Sequence, residues 1–153
     1  YHHLHGLNFT ALRFFTVYGP RGRPDMAPYL FTKAVFEGTE LKMFGDGSSL
    51  RDYTYIDDIV QGVVAAVDRP LGYEIINLGN NRTVFLSDFI ALVETLVGKE
   101  ANIVRYPVPA GDVPLTCGDI SKAHEVLDYD PQTPFEDGMA KFVDWYRAKV
   151  LNI

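Results

Sequence analysis

The sequence predicts an α/β protein in which a small mixed sheet is flanked by helices. Three observations point there. Extended stretches rich in β-branched and aromatic residues alternate with stretches of helical spacing, as in layered α/β architectures. Glycine and proline fall at the joints between them, at Gly19-Pro20, Arg69-Pro70 and Gly98. With 153 residues and 47% hydrophobic content, the chain can bury about two thirds of its unfolded surface without disulfides or metals.

The elements follow in order. A short helical tail at Tyr1 to Gly6 precedes "FTALRFFTVY", which is apolar on both faces and reads as one buried parallel strand. Asp25 is placed to cap the helix "MAPYLFTKAVFEG", with Pro28 in the first turn and Gly38 as C-terminal cap. "LKMFG" and "LRDYTYI" read as extended segments around the turn "DGSS". "DDIVQGVVAAVD" is helical with acids in its first turn, and "YEIINLG" is another strand. After "NNRTV" comes the helix "SDFIALVETLVG", expected to be capped by Ser87 and closed by Gly98. "ANIVRYP" is a short strand, "VPAGDVPLTCGD" a long irregular loop and "ISKAHEVLDY" a short helix. Thr133 and Glu136 have the spacing of a capping box before the last helix, where Phe135, Met139, Phe142, Val143 and Tyr146 share one apolar face.

Composition excludes several classes. Net charge −6 argues against broad electrostatic binding to nucleic acid. No apolar run approaches the roughly 18 residues of a membrane span, and "YHHLHGL" lacks the apolar core of a signal peptide. The lone Cys117 excludes an intramolecular disulfide framework and suits a reducing cytoplasm, where the chain is expected to reside. The chain lacks an initiator methionine and opens in what reads as the last turns of a helix, so it is expected to be a piece of a longer one.

A catalytic apparatus is not evident. Dinucleotide binding calls for a glycine-rich turn between a strand and a helix, but "GPRG" has two glycines and runs into prolines, while "GDG" sits between extended segments. There is no G-x-S-x-G elbow, no H-E-x-x-H and no phosphate loop ending in Lys-Ser or Lys-Thr. His2, His3 and His5 cluster at a terminus, where metal binding is not expected. Tyr29 and Lys33 have the Y-x-x-x-K spacing that lets an ammonium lower a phenol's pKa. With no cofactor loop before them, they read as a packed tyrosine and an exposed or ligand-facing lysine.

The blocks "LRFFTVYGPRGRPDMAPYLFTKAVFEG", "FGDGSSLRDYTYIDDIVQGVVAAVD", "INLGN" and "GDVPLTCGDISKAHEVLDYDPQTPFEDGMAKFVDWY" occur here in that order. Together they resemble the extended short-chain dehydrogenase/reductases of the NAD-dependent epimerase/dehydratase family, most nearly the UDP-glucuronate 4-epimerases. The resemblance implies that residues 1–20 are a remnant of a Rossmann half and residues 21–153 a nucleotide-sugar-binding domain. It implies that the intact enzyme uses NAD and a Tyr/Lys pair lying before this stretch. No catalytic residue and no NAD binding are expected of this chain alone, and the expected partner is a UDP-sugar, UDP-glucuronate or UDP-galacturonate. The resemblance also leaves open a UDP-glucuronate decarboxylase or nucleotide-sugar 4,6-dehydratase fragment. From another class, a non-catalytic binding or structural module stays open too.

Residue by residue, the resemblance implies that the backbone around Phe15 and Val17 faces the nicotinamide and that the Thr16 hydroxyl meets the sugar or diphosphate. Arg23 is the candidate for the glucuronate carboxylate, since a planar guanidinium can form two parallel hydrogen bonds with it. Asp25 and Met26 open the helix whose N-terminus would approach the diphosphate. The backbones of Lys42 and Phe44 would pair with uracil, Arg51 would bind the diphosphate, and Asp112 would accept from the ribose hydroxyls. An ion pair of Arg51 with Asp52 or Asp57 is the structural alternative, and Arg82 or Arg105 could supplement the phosphate site. Apolar faces left open on the first strand and its neighbouring helices lead us to expect a homo-oligomer.

Overall fold

The computed structural model describes residues 1–153. Seven strands alternate with six α-helices: α1 (His2–His5), β1 (Phe9–Phe14), β2 (Thr16–Tyr18), α2 (Ala27–Glu37), β3 (Glu40–Phe44), β4 (Leu50–Tyr55), α3 (Ile56–Asp68), β5 (Tyr73–Leu78), β6 (Thr83–Phe85), α4 (Leu86–Val97), β7 (Asn102–Tyr106), α5 (Ser121–Leu127) and α6 (Phe135–Tyr146). A turn of π-helix, Arg147–Leu151, continues α6. The α/β class with small sheets and flanking helices is as the sequence predicts.

The strands form three small sheets. β1 runs parallel to β5 and β3 parallel to β7. In the third sheet β4 pairs in parallel with β2 and antiparallel with β6. The expected single strand from Phe9 to Tyr18 is therefore two. The chain changes partner at Phe15, from β5 to β4. Nor is the first piece buried on both faces: Phe9 and Phe14 stay about half exposed.

Two apolar clusters hold the layers together. The larger joins α2, α4 and α6 to β3 and β4, and the stripe Phe135, Met139, Phe142, Val143 and Tyr146 lies wholly within it. The smaller gathers Ile59, Ile76, Leu78, Ala123, Leu127 and Tyr129 from α3, β5, α5 and the turn after it. Gly38 and Gly98 close α2 and α4 with φ of 67° and 77°, the left-handed conformation that glycine adopts without steric cost.

All three side-chain N-caps read from the sequence are absent, each for a local reason. The cap of α2 is Met26, because the Asp25 carboxylate is held by Arg23. α4 starts two residues earlier than a Ser87 cap requires, with Phe85 at the cap position. The N–H groups of Leu86 and Ser87 instead donate to the carbonyls of Ser49 and Gly47, at 2.9 and 3.0 Å. Before α6, the N–H groups of Gln132 and Thr133 donate to the Asp58 carboxylate at 3.2 and 3.1 Å, and Pro134 becomes the cap.

Candidate functional site

A cleft of about 630 Å³ opens between α2, β3, β4 and the loop that follows β7. Its walls include Asp25, Lys42, Phe44, Arg51 and Asp112, five residues singled out in the sequence, brought together from four stretches of chain. The floor is apolar, with Phe31, Leu41 and Tyr53 reaching up from the larger core. An apolar floor with a few fixed polar groups is the usual build of a small-molecule site.

Strand alternation explains how β4 serves both cleft and core. Successive side chains point to opposite faces, so Arg51 and Tyr53 face the cleft while Asp52 and Thr54 face away and are fully buried. Arg51 consequently does not pair with Asp52. It donates to Asp112 Oδ1 at 2.6 Å and to the Leu50 carbonyl at 2.9 Å.

β3 contributes Lys42 and Phe44 to the opposite wall. It hydrogen-bonds only to β7, so the backbone groups of its other edge have no strand partner. Tyr106 of β7 braces this wall. Its ring lies 5.9 Å from that of Phe44 and 5.7 Å from the Lys42 ammonium, and its hydroxyl donates to Glu40 at 2.7 Å. That bond to a carboxylate holds the Tyr106 phenol above its ordinary pKa.

Of the remaining sequence candidates, all but Lys33 lie outside the cleft. Arg23 is exposed and forms a bidentate pair with Asp25, at 3.0 and 2.7 Å, so it touches the cleft only through that cleft-lining carboxylate. The pair keeps Asp25 below the usual carboxylate range, chiefly through the hydrogen bond from Arg23. Met26 and Val17 line a separate small crevice with Arg23. Thr16 is half-buried at the start of β2, in register with Tyr53. Of the Tyr29/Lys33 pair, Tyr29 packs edge-on against Tyr146 at 5.1 Å and Lys33 lines the cleft.

The sequence reading missed a brace beneath the site. The buried Asp52 carboxylate accepts from the Thr54 hydroxyl and the Asn80 N–H through Oδ1, at 3.1 and 2.8 Å. Through Oδ2 it accepts from the N–H groups of Asn81 and Gly118, at 3.1 and 3.0 Å. One side chain thus joins β4 to the turn after β5 and to the end of the Asp112 loop. The Phe15 ring fills the space beside it, where a Cβ on Gly79 or Gly118 would come within 3.0 or 2.7 Å of the ring. The signal was an acid inside the aromatic run "LRDYTY", since a carboxylate in a buried strand must be fully hydrogen-bonded.

Fold and cleft together define an α/β protein with a ligand-sized site between an open strand edge and a guanidinium-bearing strand. Comparison with known proteins agrees. The model of the NAD dependent epimerase/dehydratase family matches residues 1–79. The UDP-glucuronate 4-epimerase of Thermodesulfobacterium geofontis is 44% identical over 151 residues, 98% of this chain and 46% of that protein. Among solved structures, the UDP-glucuronic acid 4-epimerase of Bacillus cereus in complex with UDP-glucuronic acid and NAD matches with a TM-score of 0.90 at 38% identity, over 95% of this chain and 47% of that one. The UDP-glucose 4-epimerase of Thermotoga maritima with UDP-glucose matches with a TM-score of 0.91 at 32% identity, over 97% and 49%. The chain belongs to the NAD dependent epimerase/dehydratase family. It spans less than half the length of these relatives.

Proposed function

We propose that this chain forms the nucleotide-sugar-binding part of an NAD-dependent UDP-glucuronate 4-epimerase. The observation that carries the reading is the meeting, in one cleft, of the unpaired edge of β3 with Arg51 and Asp112. An open strand edge offers alternating N–H and C=O groups, which suits the donor–acceptor edge of a uracil at Lys42 and Phe44. Arg51 offers a charged fork for a diphosphate, and Asp112 a carboxylate for ribose hydroxyls. The sugar would then lie toward Thr16, Met26 and the N-terminus of α2, with Arg23 leaving Asp25 for the uronic acid carboxylate. We place the boundary between the Rossmann remnant and this domain at residue 20.

The residues present do not by themselves fit a dinucleotide. The β2–α2 connection has two glycines, Gly19 and Gly22, but runs through Pro20 and Pro24 rather than directly into the helix, and β4 and β6 run into α3 and α4 with no loop at all. We assign NAD to the intact parent enzyme, with only the backbone at Phe15 and Val17 contributed from here. No helix is long and apolar enough to cross a membrane, and the half-exposed β1 supports self-association.

Calorimetry with UDP, UDP-glucuronate and UDP-glucose tests the reading. UDP binding is expected, weakened at least about tenfold by Arg51→Ala through loss of charge-assisted hydrogen bonds. UDP-glucuronate should bind more tightly than UDP-glucose, by a margin that Arg23→Ala abolishes. Absence of UDP binding, or indifference to Arg51→Ala, would refute it.

A further inference from the structure

The guanidinium anchor of the cleft is already engaged from within the chain. Arg51 holds Asp112, which lies on an irregular strap, residues 107–113, that leaves β7 and passes the cleft. The strap is tethered at both ends. Val108 lies against Gly45, where a Cβ would come within 3.0 Å of the valine methyl. Just beyond its far end, the Leu50 N–H donates to the Pro114 carbonyl at 2.9 Å and the Thr116 N–H to the Leu50 carbonyl at 3.0 Å. Between these tethers a turn closed by the Asp112 N–H on the Pro109 carbonyl, with Gly111 at φ 89°, presents the carboxylate. Its ion pair with Arg51 is the one side-chain hydrogen bond that the strap makes.

We propose that Asp112 is a specificity gate: its carboxylate stands on Arg51 as an internal anion, and yields only to a ligand that brings both a diphosphate and hydroxyl donors. The proposal rests on reading the cleft as a nucleotide-sugar site. A bare anion that takes Arg51 leaves Asp112 without its cation and beside a second negative charge, so the exchange gains little. A nucleoside diphosphate carries a ribose diol whose hydroxyls donate to the displaced carboxylate, so every charged group ends the exchange with a partner. The side chains of Arg51 and Asp112 are 21% and 39% exposed, which leaves the pair weak enough to open and shielded enough for the exchange to matter.

Calorimetry with inorganic pyrophosphate, UDP and 2′,3′-dideoxy-UDP, on the whole chain and its Asp112→Asn variant, tests the gate. The variant should bind pyrophosphate and the dideoxy nucleotide about three- to tenfold more tightly than the parent, and UDP no more tightly. Asp112→Ala should shift pyrophosphate in the same direction. Pyrophosphate affinity unchanged or weakened in both variants would overturn the gate, as would an equal gain for UDP. If the parent binds UDP but neither variant alters pyrophosphate, the gate falls and the site reading stands. If the parent binds neither UDP nor pyrophosphate, both fall.

Discussion

Replacing Asp52 by Asn, the nearest isostere, should cost this protein a large share of its stability. Both carboxylate oxygens accept, Oδ1 from Asn80 N–H and the Thr54 hydroxyl, Oδ2 from Asn81 and Gly118 N–H. An amide must put an NH2 group at one of those positions. At Oδ2 it would face two backbone donors. At Oδ1 it would face one, because the Thr54 hydroxyl can turn and accept. The second orientation is the cheaper, yet it strands the Asn80 N–H, at about 1–3 kcal/mol for a buried unsatisfied donor. It also reduces the two remaining backbone bonds from charge-assisted to neutral, about 0.5–1 kcal/mol each. The sum is roughly 2–5 kcal/mol. Urea denaturation followed by Trp145 fluorescence would show it as a midpoint lowered by about 1–2.5 M, for a slope near 2 kcal/mol/M. Asp112→Asn, which breaks a part-exposed pair, should cost under about 1 kcal/mol in the same assay. An Asp52→Asn midpoint indistinguishable from the parent's would refute the reasoning.

Two other expectations concern the aromatic core. Gly138→Ala should lower stability by about 2–4 kcal/mol, since a Cβ there would overlap the Tyr18 hydroxyl and lie 2.8 Å from its Cζ. Tyr18→Phe should rescue part of that loss in a double-mutant cycle, and additive effects would count against the clash. The protein should also unfold in alkali. Burial pushes Tyr53 and Tyr146 up to about 12 from an ordinary 10.0, and raises Tyr18 and Tyr129 as well. These phenols ionise first in the unfolded chain, so their stabilisation is whole below pH 10 and is lost as pH rises toward 12. Stability read from urea denaturation should fall by roughly 1 kcal/mol per tyrosine for each pH unit in that window, and these four buried phenols, of the nine tyrosines in the chain, should ionise only as the protein unfolds. Ionisation of all nine tyrosines in the still-folded protein would contradict it.

What was legible in the sequence followed from local periodicity. The alternation of strands and helices and the inward face of α6 depend on residues within a few positions of one another. So do the glycine C-caps of α2 and α4, for a left-handed turn depends on the residue that adopts it. The N-caps were not legible, because the first N–H groups of a helix accept any well-placed oxygen. Asp25 was taken by Arg23, the first turn of α4 by the Gly47–Ser49 carbonyls, and the N–H groups before α6 by Asp58. The last two partners lie tens of residues away, and no short window contains them. The same holds for β6, whose three residues form a strand only because β4 lies beside them.

The site divides along the same line. Motif blocks brought Lys42, Phe44, Arg51 and Asp112 forward, and they line one cleft. Their spacing in the chain does not say which acid neutralises which base. Adjacency made Asp52 a candidate partner for Arg51, yet neighbours on a strand point apart, and the two diverge to opposite faces of β4. One turns to the cleft and pairs with Asp112, while the other turns inward and binds the backbone that carries the Asp112 loop. The dipeptide Arg51-Asp52 thus holds that loop from both ends, by a part-exposed ion pair that a ligand can exchange and by buried hydrogen bonds that it cannot. An interchange of the two residues would bury a guanidinium among backbone N–H groups, with no carboxylate to meet it. The order of the pair is therefore fixed by the pleat of β4, whatever the cleft binds.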